Sequence, residues 1–166
     1  NRDVYNFCSH QHTPPTLKRF SSGMTEGSDG IYIAWDVFYE YNQMGSYILQ
    51  QMVIFALDRL LGDEKTLLTN LPAQGITTLQ HQPGEHRYIQ HNLYASPVLR
   101  GKKTTLQVIE DIIPIRNTEI TLIHGRTIQS IYLAPQMKAI SFNQTDGVVK
   151  YKIDEFECHQ MVVLEY

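Results

Sequence analysis

Apolar residues recur along this chain with two different periods, and the change between them divides it. Within residues 44–61, Ile48, Leu49, Met52, Val53, Ala56 and Leu60 return at intervals of three and four. That spacing puts side chains on one face of an α-helix. Gln50, Gln51 and Asp58 fall off the stripe, while Phe55 and Leu57 widen it, so this helix is expected to be covered on more than one side. Gly62 follows directly and is a natural C-cap, because glycine enters the left-handed region cheaply. Upstream, residues 4–8 and 31–35 are short apolar runs suited to buried strands, with Ile31, Ile33 and Trp35 sharing a face. His12-Thr13-Pro14-Pro15 and the Ser/Gly-rich stretch 21–30 read as loops.

From Gly75 onward the helical period is gone and alternation replaces it. Strands are expected at 76–79, 87–94, 106–113, 119–123, 128–133, 139–142, 148–153 and 161–164, separated by Pro83-Gly84, Arg100-Gly101, His124-Gly125 and Asp146-Gly147. The Asp-Gly pair is the strongest hairpin signal, since a type I′ turn needs positive φ at both central residues. Many short strands at this spacing predict an antiparallel β-sandwich or barrel. The fold class expected is therefore α+β, mostly β. Residues 1–62 would be the tail of an α/β domain, 63–74 a linker or first edge element, and 75–166 the C-terminal sandwich. Two strands and one helix cannot close a doubly wound sheet, which is covered by helices on both faces. The chain also opens on Asn1 and enters a strand-like run within three residues. Both points predict a segment cut from a longer polypeptide.

Composition narrows the function classes. A net charge of −3 and a pI near 6.2 argue against a nucleic-acid surface. The longest apolar stretch is interrupted by Gln50, Gln51, Asp58 and Arg59 and does not read as a membrane span. Cys8 and Cys158 form neither a disulfide framework nor a zinc signature, and the compartment stays open.

Candidate chemistry is sparse. His10 and His12 share a face if extended, but no third ligand stands at a metal-site spacing. Asp36 and Glu40 follow the 31–35 strand, where ligands often meet open α/β sheets, and Trp35, Tyr39 and Tyr41 add aromatic surface suited to sugar faces; packing against a neighbouring domain is the favoured reading. A glycosidase needs two facing carboxyls. Glu110 and Asp111 are adjacent in an expected strand and so point apart, and Glu155 and Glu157 flank Phe156 in solvent. Cys8 near His10 and His12 does not make a thiol nucleophile, since cysteine is commonly buried. No nucleophile elbow, phosphate loop or dinucleotide fingerprint occurs, and no cofactor is expected.

Several segments in order carry a resemblance. Phe7-Cys8-Ser9-His10-Gln11-His12-Thr13-Pro14-Pro15, Gly30-Ile31-Tyr32-Ile33-Ala34-Trp35 and Ala56-Leu57-Asp58-Arg59-Leu60-Leu61 resemble the end of a β-galactosidase trimerisation domain. Asn70-Leu71-Pro72-Ala73-Gln74-Gly75, Tyr94-Ala95-Ser96-Pro97-Val98, Val108-Ile109-Glu110-Asp111-Ile112-Ile113-Pro114, Leu133-Ala134-Pro135-Gln136 and the terminal nine residues, Cys158 to Tyr166, are similar to the C-terminal β-domain of the group called hypothetical glycosyl hydrolase 6. The resemblance implies a parent with an upstream catalytic barrel, an amidotransferase-like α/β domain and a β-sandwich. The catalytic carboxylates would lie in the barrel, so none is assigned here, and both β-galactosidase and α-L-fucosidase parents fit. The expected function is a non-catalytic accessory and oligomerisation region of a glycoside hydrolase, with the rest of the parent and further copies of the chain as partners. His10, His12, Trp35 and Tyr39 are the candidate substrate contacts. The rival is a carbohydrate-binding β-sandwich, with Tyr88, Tyr94, Tyr132 and Tyr151 as a glycan platform; alternation instead favours strand aromatics in the core.

Overall fold

The computed structural model describes residues 18, 21–102 and 105–166. The strand expected at 4–8 and the His10/His12 pair lie outside the described residues. Contacts divide the chain into two units, Asn1–Glu64 and Lys65–Tyr166.

In the first unit, β1 (Met24–Gly27) and β2 (Gly30–Ile33) form an antiparallel hairpin with Met24 opposite Ile33. The stretch 21–30, expected to be loop, therefore holds a strand. Three residues between Gly23 and Gly27 carry too little alternation to announce it, and its partner β2 makes it one. Two helices follow, α1 (Val37–Met44) and α2 (Tyr47–Leu61), where one was expected. Asp36 starts α1 by accepting the Tyr39 backbone N–H at 3.3 Å, an N-cap bond that satisfies an orphan donor of the first turn. Gly45, at φ +60°, ends it by donating to the Tyr41 carbonyl at 2.7 Å. Gly62 caps α2 as its position suggests, with φ +48° and its N–H on Asp58 O.

The second unit is built on two antiparallel sheets. One is ordered β10 (Lys138–Ala139), β9 (Ser130–Ala134), β13 (His159–Glu165), β5 (Arg87–Leu93), β4 (Ile76–Gln82). The other is ordered β11 (Phe142–Thr145), β12 (Val148–Phe156), β8 (Ile115–Ile123), β3 (Leu67–Thr69). The 63–74 stretch thus supplies β3 as an edge strand, short enough to leave no periodic trace. The strand expected at 139–142 is divided, its start pairing in the first sheet and its end in the second. The long strand expected at 106–113 shrinks to β7 (Leu106–Val108), which pairs only with β6 (Val98–Arg100). Apolarity marked the run, but a strand also needs a partner, and Pro114 at its end cannot donate. Asp146 (φ +50°) and Gly147 (φ +78°) form the expected two-residue turn, joining Thr145 to its partner Val148.

Both sheets feed one hydrophobic cluster. Ile120 and Leu122 of β8 and Val149 and Ile153 of β12 pack with Ile131 of β9 and Val162 and Leu164 of β13. Along β12 the alternation changes phase: Val149, Tyr151 and Ile153 are buried, then Asp154 and Glu155 are both exposed, then Phe156 is buried. The register with β8 does not slip, since Thr118 faces Ile153 and Ile115 faces Phe156. The phase turns on Asn117, which sits at φ +56° opposite this point; asparagine tolerates that region better than most residues. Asn70 braces the site, accepting the Glu119 N–H at 2.8 Å and donating to the Asn117 carbonyl at 3.1 Å.

Candidate functional site: surfaces and a buried polar network

Trp35 follows β2 and is half-buried. Its indole lies on the backbone of Gly23, where a Cβ would come within 2.5 Å of Trp35 Cζ3. The Ala34 N–H donates to the Gly23 carbonyl at 2.9 Å, so only glycine permits this approach. Tyr39 projects from α1 and is 62% exposed. Asp36, between them, is occupied as the α1 cap. Of the four candidate contacts, the described residues therefore include Trp35 and Tyr39, both in the first unit.

Among the described residues of that unit, the helices carry most of the exposed large apolar side chains. Only Val37 and Ala56 are buried in α1 and α2, while Phe38, Met44, Tyr47, Ile48, Phe55 and Leu60 are each more than half exposed. The cover expected on several sides of the long helix is not supplied by the described residues. Monomeric soluble proteins rarely leave so contiguous an apolar surface unless something binds it.

Of the four carboxylates considered for catalysis, Glu155 and Glu110 are engaged by arginines. Glu155 Oε2 accepts from Arg116 Nε at 2.5 Å, and Glu110 Oε1 accepts from Arg100 Nε at 2.9 Å. Glu110 and Asp111 lie beyond the end of β7, so the strand argument that separated them does not apply; the ion pair is what occupies Glu110. In the first unit Glu26 Oε2 accepts from Arg59 at 2.7 Å. All three pairs are exposed and worth roughly 0–1 kcal/mol each. Among the described residues no group of three or more His, Cys, Asp or Glu could hold a metal ion, and no helix is long and apolar enough to cross a membrane.

The four tyrosines of the glycan-platform reading do not form an exposed row. Tyr151 is buried, and Tyr88 and Tyr94 pack against the core. Tyr132 is half-buried and donates to Glu165 Oε1 at 3.3 Å. Burial first, then the Glu165 carboxylate, raises the Tyr132 phenol above its usual range.

The interior holds a polar network that alternation hid. Gln90 and Asn92 of β5 are fully buried, on the face that meets the other sheet. Tyr151 Oη donates to Gln90 Oε1 across the sheets, and Gln90 Nε2 donates to Thr77 Oγ1 at 3.0 Å and Asn92 Oδ1 at 3.1 Å. Burial alone pushes the Tyr151 phenol far above its usual value. In residues 87–94 the more apolar Ile89 and Leu93 take the opposite parity, where Ile89 is buried outside the core cluster and Leu93 is exposed, so hydrophobicity alone does not reveal that Gln90 and Asn92 face the other sheet. Two polar residues flanked by Tyr88 and Tyr94 at the same parity were the available signal.

At one end of this unit several rings surround Tyr166. His81 stacks on Tyr88 with centroids 4.6 Å apart and meets the Tyr166 hydroxyl at 2.8 Å, and the Arg126 guanidinium lies 4.3 Å from the Tyr166 ring centroid. His124 Nδ1 accepts the Arg126 backbone N–H at 3.0 Å, while Nε2 is buried without a partner. Burial, and secondarily the Arg126 charge, hold its pKa below the ordinary 6.5. The unfolded chain then binds the extra proton first, so stability is unaffected well above pH 6.5 and falls as pH drops through 6.5 toward the folded value. NMR titration should place the His124 midpoint below 6.5, and His124→Asn should flatten this acid-side loss relative to the parent sequence. A midpoint at or above 6.5 would contradict the assignment.

No protein-family model matches this chain, and no curated protein matches it. Among solved structures, it is similar to the α-L-fucosidase isoenzyme 2 from Paenibacillus thiaminolyticus, with 53% identity and a TM-score of 0.89. The match covers 100% of this chain and 25% of that one, so the chain is similar along its whole length to a quarter of an α-L-fucosidase.

Proposed function

We propose that this chain is a non-catalytic accessory and oligomerisation region of a glycoside hydrolase of the α-L-fucosidase type, which braces a catalytic part located elsewhere in the parent. The observation that carries this reading is the full-length match to one quarter of a named fucosidase. The apolar surface on α1 and α2 supports it, being suited to cover by the remainder of such a parent or by neighbouring subunits. The engagement of Glu110 and Glu155 by arginines is consistent with carboxylate chemistry residing elsewhere.

On this reading the first unit is the end of an amidotransferase-like, trimerisation-type α/β domain, and the two sheets of the second are the layers of a β-sandwich. His10, His12, Trp35 and Tyr39 would line the mouth of a catalytic site in their own or a neighbouring subunit. The buried and half-buried tyrosines favour the brace over a carbohydrate-binding module.

The test compares the 166-residue chain with the full-length parent on aryl α-L-fucoside and aryl β-galactoside. Hydrolysis of the fucoside by the parent alone is the expected result. Turnover by the short chain would overturn the accessory role, and preference of the parent for the galactoside would overturn the sugar class. In the same assay, a parent with all four mouth residues replaced by Ala should show a raised KM; an unchanged KM would remove them from the site.

A further inference from the structure

Two adjacent interior strands of the five-stranded sheet, β13 and β5, bring three metal-binding side chains together on its outer face. Their register puts Met161 opposite His91 and His159 opposite Leu93. Val162 and Leu164 of β13 enter the core cluster, and Gln90 of β5 reaches Tyr151 of the other sheet. By alternation His91, His159 and Met161 therefore share the opposite face. His91 and Met161 are a direct cross-strand pair, with Cβ atoms about 4.5–5.5 Å apart, and His159 is the diagonal neighbour within reach of a long side chain. His91 Nδ1 and His159 Nε2 stand 3.0 Å apart, with ring planes 9° from parallel. The ring centroids are 5.2 Å apart, nearly the N···N distance plus one ring radius at each end. The two nitrogens thus meet head-on in the ring planes, as in an N–H···N hydrogen bond, and the rings do not lie face to face.

We propose that His91, His159 and Met161 form a binding site for copper(I). Imidazole nitrogens bound at about 2.0–2.1 Å to one ion lie about 2.9–3.4 Å from each other, for angles between square and tetrahedral. The pair already has that spacing. His159 is exposed and His91 half-buried, so small side-chain rotations aim both lone pairs at a common point and leave it open to solvent. The bridging proton need not leave the protein: the ring that carries it moves it to its outer nitrogen, which frees both facing lone pairs. The ligand types select the ion. Imidazole serves zinc, copper, iron and nickel, while a thioether serves copper(I) and is not among the usual ligands of zinc. The flanking cross-strand partners are Thr78, Leu93 and Ala134; none carries a charge, which suits a monovalent ion better than a divalent one. Because the third donor is a thioether, the site is of a different kind from the groups of three His, Cys, Asp or Glu that the described residues lack.

The test titrates the full-length parent anaerobically with copper(I) held by the chromophoric chelator bicinchoninate, with ascorbate as reductant. The parent should withdraw one more equivalent of copper than its His91→Gln or His159→Gln variant, with far-UV circular dichroism alike in all three. Met161→Leu should keep the equivalent but bind it at least about 10-fold more weakly, the loss that removal of even an outer partner of a metal site brings. Equal uptake by the parent and the histidine variants would overturn the site, and an unchanged affinity in Met161→Leu would overturn the choice of copper(I). One measurement needs no variant. In the unsubstituted parent, copper(I) should protect His91 and His159 together from diethylpyrocarbonate, read by peptide mapping; modification of both at the metal-free rate would also overturn the proposal.

Discussion

Phe156→Ala is expected to destabilise the second unit by about 3–5 kcal/mol, the usual cost of removing a buried phenylalanine and leaving its cavity. Phe156 is 4% exposed and packs in the cluster shared by both sheets. Strict alternation from Val149, Tyr151 and Ile153 would put Phe156 outside and Glu155 inside. The turn of phase at Asn117 reverses this, leaving Glu155 in solvent with Arg116 and bringing Phe156 into the core. The substitution therefore separates the two pictures. Denaturant unfolding followed by far-UV circular dichroism would measure it. The single tryptophan, Trp35, belongs to the first unit, so its emission reports that unit separately. A loss under about 1 kcal/mol, the range of surface substitutions, would mean that the phase does not turn.

Gln90→Leu should cost about 2–3 kcal/mol, although it makes the interior more apolar. It strips the acceptor from the buried Tyr151 hydroxyl and the donor from Thr77 and Asn92, and a buried group left unpaired carries its full desolvation penalty. Adding Tyr151→Phe removes the orphaned hydroxyl, so the double variant should be more stable than the sum of the single losses requires, with a coupling of about 1–2 kcal/mol. Strict additivity would place no hydrogen bond between the sheets. Tyr151→Phe should also reduce the loss of stability in alkali. Because the folded phenol resists ionisation, the native state keeps its proton while the unfolded state releases it, and stability falls as pH rises past the ordinary value of 10.0.

Most element positions were legible because their cause is local. The helix stripe through Ile48, Met52 and Ala56, the Gly62 cap and the Asp146-Gly147 turn each follow from side-chain spacing or from the φ that one residue allows. α1 was not legible, since its start depends on one bond from Asp36 and its end on Gly45, with only eight residues between them. β1 and β3 were not legible either, since strands of three or four residues exist only through their partners. Of the candidate contacts, Trp35 and Tyr39 were proposed from aromatic residues following a strand. The glycine that seats Trp35, twelve residues earlier, could be recognised only once the chain had folded back.

The mostly β character, the longer strands and the Asp146-Gly147 turn were determined by the sequence alone, because alternation and turn chemistry act over a few residues. Only the tertiary structure decided that Gln90 and Asn92 of β5 face the other sheet, that Phe156 is core, that the run at 106–113 keeps only the short β7 paired with β6, and that the described residues leave the helix stripe uncovered. The reason is that burial belongs to surfaces in contact. An apolar run favours cover, and only the partner surface determines where it is found.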